Sequence, residues 1–249
     1  MKLRMLSLEG DYALEKREKE KSNYCYIHLH AVTFGIAQYI LTELRPIDLD
    51  GCGRLTIRAN VEQEMMGWPG YNPVPKMGVS WYNLDIETSR KLYDLKRFSK
   101  AFSEELSNEF EQYVAGIVMD VLVEIDMAHG GRNRLAERRD DILKKMREYG
   151  CEKEILLEKY SKLRRDRKYK AMVYRCIGHG IGDAIRVDLV NCKSGEVVVS
   201  EWLDELPHTV DMAGAVTRTG WDGDAFNVTF FRSDWTETVE LPENKTIES

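Results

Sequence analysis

The stretch from Val114 to Met127 is apolar on nearly every side, and no other segment constrains the fold of this chain as much. A helix that is hydrophobic all round has to lie inside a protein or a membrane. This one is too short to cross a bilayer and carries Asp120, Glu124 and Asp126, so it is expected to be the central buried helix of the fold. Phe102, Leu106, Phe110, Tyr113, Ile117, Val121 and Ile125 recur every three or four residues and extend the helical pattern upstream. Thr88 or Ser89 can cap a helix before it, and His129-Gly130-Gly131 stops the pattern.

Basic charge is concentrated just beyond that stop. From Arg132 to Lys170 there are 15 Lys or Arg against 8 Asp or Glu, whereas residues 1–131 carry 15 against 20 and residues 171–249 carry 6 against 14. The segment is therefore basic inside a chain whose net charge is −6. Either the flanks neutralise it or a partner reads it. Leu135, Arg139, Ile142, Met146 and Tyr149 form one helical stripe with Gly150 in the stopping position, and Leu156, Tyr160 and Leu163 form another. Two such helices, over Asn133–Tyr149 and about Glu152–Lys168, predict a protruding antiparallel helical hairpin at 132–170.

On either side the pattern is that of strands. Cys25, Ile27, Leu29 and Ala31 alternate with Tyr24, Tyr26, His28 and His30, and Arg54 to Val61 alternates through Leu55, Ile57 and Ala59. Tyr39 to Leu44 suits a strand or a short helix. After Lys170, five short β-rich runs (Met172–Ile177, Ala184–Val190, Glu196–Trp202, Ala213–Thr219 and Phe226–Phe231) are bounded by turn residues such as Lys193-Ser194-Gly195 and Asp222-Gly223. The expected class is α+β, with N-terminal and C-terminal antiparallel sheets around the buried helix. The expected organisation is strands and helix at 1–131, hairpin at 132–170 and a β-rich region at 171–249.

The five cysteines, Cys25, Cys52, Cys151, Cys176 and Cys192, are scattered without a C-x-x-C pair. That argues against a disulfide framework and a zinc knuckle, and for a reducing cytoplasmic setting. No run near Met1 is apolar enough for a secretory signal, and no membrane contact is expected.

No motif dictates a reaction, and no cofactor is called for. Gly178-His179-Gly180-Ile181-Gly182-Asp183 has glycines at every second position but no Gly-Lys-Ser/Thr, and a strand pattern follows it, which suits a turn better than a phosphate loop. Cys176 and His179 lack any nucleophile setting. His28 and His30, on one side of the expected strand, have a usable metal-ligand spacing, and Asp120 and Glu124 could complete such a site. A metal-dependent hydrolase built on these four is the last-ranked reading.

The first-ranked reading is a non-catalytic protein that binds another protein. An acidic α+β build without a catalytic constellation resembles, in type, the bacterial immunity proteins that neutralise toxins. The resemblance implies an acidic face of the C-terminal sheet steered onto a basic toxin and occluding its active site. Glu201, Trp202, Asp204 and Glu205 would make the first contacts. Trp68 and Tyr71, in the proline-stiffened loop Trp68–Pro75, would be anchors. The alternative is a nucleic-acid-associated protein whose hairpin meets phosphates through Arg138, Arg139, Lys144, Arg164, Arg165 and Arg167.

Overall fold

The structure is a computed structural model and describes residues 2–11, 14–17, 29–49, 51–61, 69–98, 108–178, 183–203, 216–231 and 235–242. The fold is α+β, and it divides into two compact units whose boundary falls between Glu152 and Lys153. No helix among the described residues is long and apolar enough to cross a membrane.

The N-terminal unit is built on a four-stranded sheet in the order β1-β2-β4-β3, with β1 at Met5–Glu9, β2 at Arg54–Arg58, β3 at Gly70–Val74 and β4 at Val79–Asn83. β1, β2 and β4 run parallel and only β3 is antiparallel, so the expected antiparallel N-terminal sheet is not what forms. The reason is the connection: β1 reaches β2 through helix α1, Leu29–Leu44, and a helical crossover returns the chain in the same direction.

Helix α1 takes up the last three residues of the expected Tyr24–Ala31 strand, whose other residues, 24–28, lie outside the described residues. Leu29, Val32, Phe34, Ile36, Ala37, Ile40, Leu41 and Leu44 are all buried, so the helix is covered on most sides and shows no amphipathic stripe. Its start is fixed by Glu15, whose buried carboxylate accepts the Leu29 N–H at 2.7 Å. Thr33 and Gln38 donate to the carbonyls of Leu8 and Leu6 at 3.3 and 2.9 Å. Those carbonyls belong to the edge strand of the sheet, so the helix closes an edge that would otherwise invite pairing.

Helix α2, Ile86–Phe98, is capped by Asp85, which accepts the Thr88 N–H at 2.8 Å and the Thr88 hydroxyl at 2.7 Å. Helix α3, Asn108–Ala128, buries Phe110, Val114, Val118, Met119, Leu122 and Ile125. Asp126, near its end, is 2% exposed, and its carboxylate accepts the backbone N–H groups of Asn133 and Leu135 at 3.0 and 3.1 Å. It thereby starts helix α4, Leu135–Tyr149, which buries Leu135, Ile142 and Met146.

The C-terminal unit is antiparallel throughout. One sheet pairs β5 (Lys153–Leu156), β7 (Tyr169–Ile177), β8 (Asp183–Asn191) and β9 (Val197–Leu203), with the short β6 (Lys162–Leu163) also on β7. The other has β10 (Val216–Asp222), β11 (Ala225–Phe230) and β12 (Thr236–Glu240) in that order. Val173, Ile185, Val187, Leu189, Phe226 and Val228 share one core, as alternate residues of strands with one buried face must.

The helical hairpin expected at 132–170 does not form. Its first helix is α4, but residues 153–156 and 162–163 are strands paired with β7. Tyr160, from the expected stripe of Leu156, Tyr160 and Leu163, packs together with Leu157 from a turn against the C-terminal core. Long-range pairing with β7 outweighs a three-residue stripe that fits either structure.

Candidate nucleic-acid interface

The basic segment is thus divided between two units, and its two halves have different electrostatic fates. On α4, Arg138 donates to the carbonyls of Glu43 and Leu44 at 2.8 and 3.2 Å, closing the end of α1. Arg139 pairs with Asp120 at 2.6 Å and with Asp140 at 3.0 Å. Lys144 faces Glu148 at 3.8 Å, Lys145 faces Asp141 at 3.1 Å, and Arg134 pairs with Glu137. This helix neutralises most of its own charge.

The β6–β7 hairpin does not. From Lys162 to Lys170 there are six Lys or Arg and one acid. The Arg164 N–H donates to the Tyr169 carbonyl at 2.9 Å, which closes a tight loop, and Arg167 sits in it with φ 61°, the left-handed region. Arg164 itself is structural. Its guanidinium donates to Asp224 at 2.6 Å, pairs with Asp166 at 3.1 Å, and lies over the rings of Tyr169 and Trp221 at 5.5 and 6.0 Å. Trp221 Nε1 donates to the Lys162 carbonyl at 3.0 Å, and the Thr219 hydroxyl to the Tyr160 carbonyl at 2.7 Å. The base of the hairpin is therefore held to β10.

Beyond that base, the side chains of Arg165, Arg167, Lys168 and Lys170 are exposed and have no acidic partner among the described residues. The result is a ribbon, bonded at its base to β10 and Asp224, carrying four cations without an acidic partner among the described residues. Sequence reasoning placed Arg164, Arg165 and Arg167 together but gave all three one role. What separates them is Asp224 and Trp221, which arrive from about sixty residues away. The Asp222-Gly223 turn was legible; the direction it faces was not.

The acidic-aromatic cluster is divided by the pleat of β9. Glu201 lies opposite Val187 and Trp202 opposite Arg186, so adjacent residues point to opposite faces of the sheet. Asp204 and Glu205 lie outside the described residues, as does Trp68. On the outer face, Tyr174, Arg186 and Trp202 form a directly opposed cross-strand row, with the guanidinium 5.0 Å from the tyrosine ring and 5.4 Å from the indole. Arg186 is forked onto Glu154 and bonded to Asp188, and these carboxylates raise its pKa further. Asp188 in turn accepts the Ser200 hydroxyl at 2.7 Å.

Tyr71 sits across from Tyr82 in the β3–β4 pair, edge-on to the His129 ring at 5.6 Å. The residues proposed for a metal are each engaged or apart. His28 lies outside the described residues, and His30 is on helix α1 rather than a strand. Asp120 pairs with Arg139, while Glu124 accepts the Tyr82 hydroxyl at 2.5 Å. Burial, then that acceptor, raises the Tyr82 pKa. Among the described residues, no three metal-ligating side chains come together.

Comparison with protein-family models, with curated proteins and with solved structures returns no match to this chain.

Proposed function

We propose that this protein binds nucleic acid through the phosphate backbone, using the β6–β7 hairpin as its contact element. The observation that carries this reading is the set of four exposed cations, Arg165, Arg167, Lys168 and Lys170, left unneutralised on a hairpin whose base is pinned. Cations held on a stiff ribbon lose little entropy on meeting a regular array of phosphates, and the released counterions drive association. Phosphate contacts position without reading bases, so little sequence preference is expected.

The α4 cations Arg138, Arg139, Lys144 and Lys145 have no part in this reading, because they are matched to acids or to helix carbonyls. The test is fluorescence anisotropy of labelled duplex DNA, single-stranded DNA and RNA. The quadruple variant Arg165→Glu, Arg167→Glu, Lys168→Glu, Lys170→Glu should lose binding, while Arg132→Glu with Lys144→Glu should keep it. Equal loss in both variants, or no binding to any of the three at low salt, would refute the assignment.

A second reading, binding to another protein, is supported by the Tyr174–Arg186–Trp202 row. Trp, Tyr and Arg are the residue types that dominate interface energies, and this row is already locked by stacking and ion pairs. A basic toxin occluded by this face is the specific form the reading takes. Trp202→Ala with Arg186→Ala should then abolish retention of a partner that wild-type protein holds, and unchanged retention would count against it.

A further inference from the structure

A cleft of about 340 Å³ opens in the N-terminal unit between helices α3 and α4. That volume falls within the range of small-molecule sites. The α3 wall is low because it is made of Ala115 and Gly116, and a Cβ added at Gly116 would meet nothing within 4 Å. Leu143 and Met146 give the α4 wall an apolar patch.

The charged groups of the cleft are its unusual feature. Glu111 stands on the α3 side, half-buried, with neither a hydrogen bond nor an ion pair among the described residues. Arg147 stands on the α4 side and is likewise unmatched, in contrast to Arg139 on the same helix. The two opposite charges face one cleft without bridging it. Burial, then the nearby Glu152, raises the Glu111 pKa, as it would for a carboxyl lacking its counter-cation. The Cys151 thiol at the end of the cleft is buried and pushed far up by desolvation, so it stays neutral and supplies no nucleophile.

We infer that this cleft binds a small zwitterion, its ammonium on Glu111, its carboxylate on Arg147 and a short apolar body against Leu143 and Met146. Such a ligand satisfies both unmatched charges at once. A simple cation or anion would leave one of them unmet.

The test uses 6-aminohexanoate as probe, with hexylamine and hexanoate as single-charge controls, followed through the amide NMR shifts of Gly116 and Gly150 in the full chain. Saturable shifts with 6-aminohexanoate, at least tenfold weaker binding of both controls, and about a tenfold loss of affinity in each of Glu111→Gln and Arg147→Gln are expected, since a charged hydrogen bond accounts for roughly one such factor. Both substitutions lie at the cleft surface, and an unchanged amide spectrum elsewhere would show that the fold is kept. Absence of shifts with 6-aminohexanoate, equal binding of hexylamine, or wild-type affinity in both variants would overturn the inference.

Discussion

Arg164 and Asp224 meet at 2.6 Å although sixty residues separate them, and their contact ties the basic hairpin to the second sheet of the C-terminal unit. The pair is partly screened, since Asp224 is 75% exposed, so the ion pair alone is a small term. The guanidinium also covers Tyr169 and Trp221. Arg164→Ala should therefore cost about 1–2 kcal/mol, combining a modest ion pair with lost cation–π packing. Urea unfolding followed by tryptophan fluorescence would measure this, and a cost near zero would mean the hairpin base is not held by Arg164.

Arg167 occupies the left-handed region at φ 61°, where a side chain costs roughly 1 kcal/mol relative to glycine. Arg167→Gly should raise the melting temperature of the C-terminal unit while weakening nucleic-acid binding. Stability and binding moving in opposite directions would show that the arginine is kept for its charge. A variant that is both less stable and unchanged in binding would contradict this.

Asp126 and Asp120 are six residues apart on α3, yet their substitutions should differ widely. Asp126 is buried and caps α4 through Asn133 and Leu135, so Asp126→Ala should cost about 2–3 kcal/mol by orphaning these two N–H groups, that of Leu135 fully buried. Asp120 holds only a partly exposed pair with Arg139, and Asp120→Ala should cost under about 1 kcal/mol. Denaturant midpoints of the two variants would decide the order.

Asp85 is one of the acids that link stability to low pH. Its hydrogen bonds from the Thr88 N–H and hydroxyl hold its pKa below the usual range. The folded value is below the unfolded one, so the stabilisation is present above about pH 4, near the unfolded value, and is lost as pH falls through the folded value. Asp85→Ala should cost about 1 kcal/mol at pH 7 and progressively less in acid. Melting curves at pH 7 and pH 3 would show the gap closing, and a constant gap would mean the cap does not act through its charge.

The parts of this fold that were legible in the sequence are those decided locally. Val114–Met127 is apolar on nearly every side despite its three acids, and a buried helix is nearly its only outcome. The five β-rich runs after Lys170 carry turn residues at their ends, and strands lie over the described part of each, residues 213–215 lying outside the described residues. Leu29–Leu44 was not legible as one helix, because it is buried on most sides and has no stripe, while the alternation that runs into its first residues, Leu29 to Ala31, imitates a strand there. Residues 153–163 failed for the opposite reason: Leu156, Tyr160 and Leu163 fit a helical spacing, but pairing with β7 decides their structure. The candidate site was half legible. Its cations were plain, but which of them are neutralised depends on Asp224, Asp120 and Glu43, contacts that no local pattern records.

The most direct measurement is the salt dependence of nucleic-acid affinity. Four phosphate contacts on duplex DNA predict that log K falls against log salt with a slope of about −3.6, and each of Arg165→Ser, Arg167→Ser, Lys168→Ser and Lys170→Ser should reduce that slope by about one. A slope that survives all four substitutions together, or affinity indifferent to salt, would contradict the account.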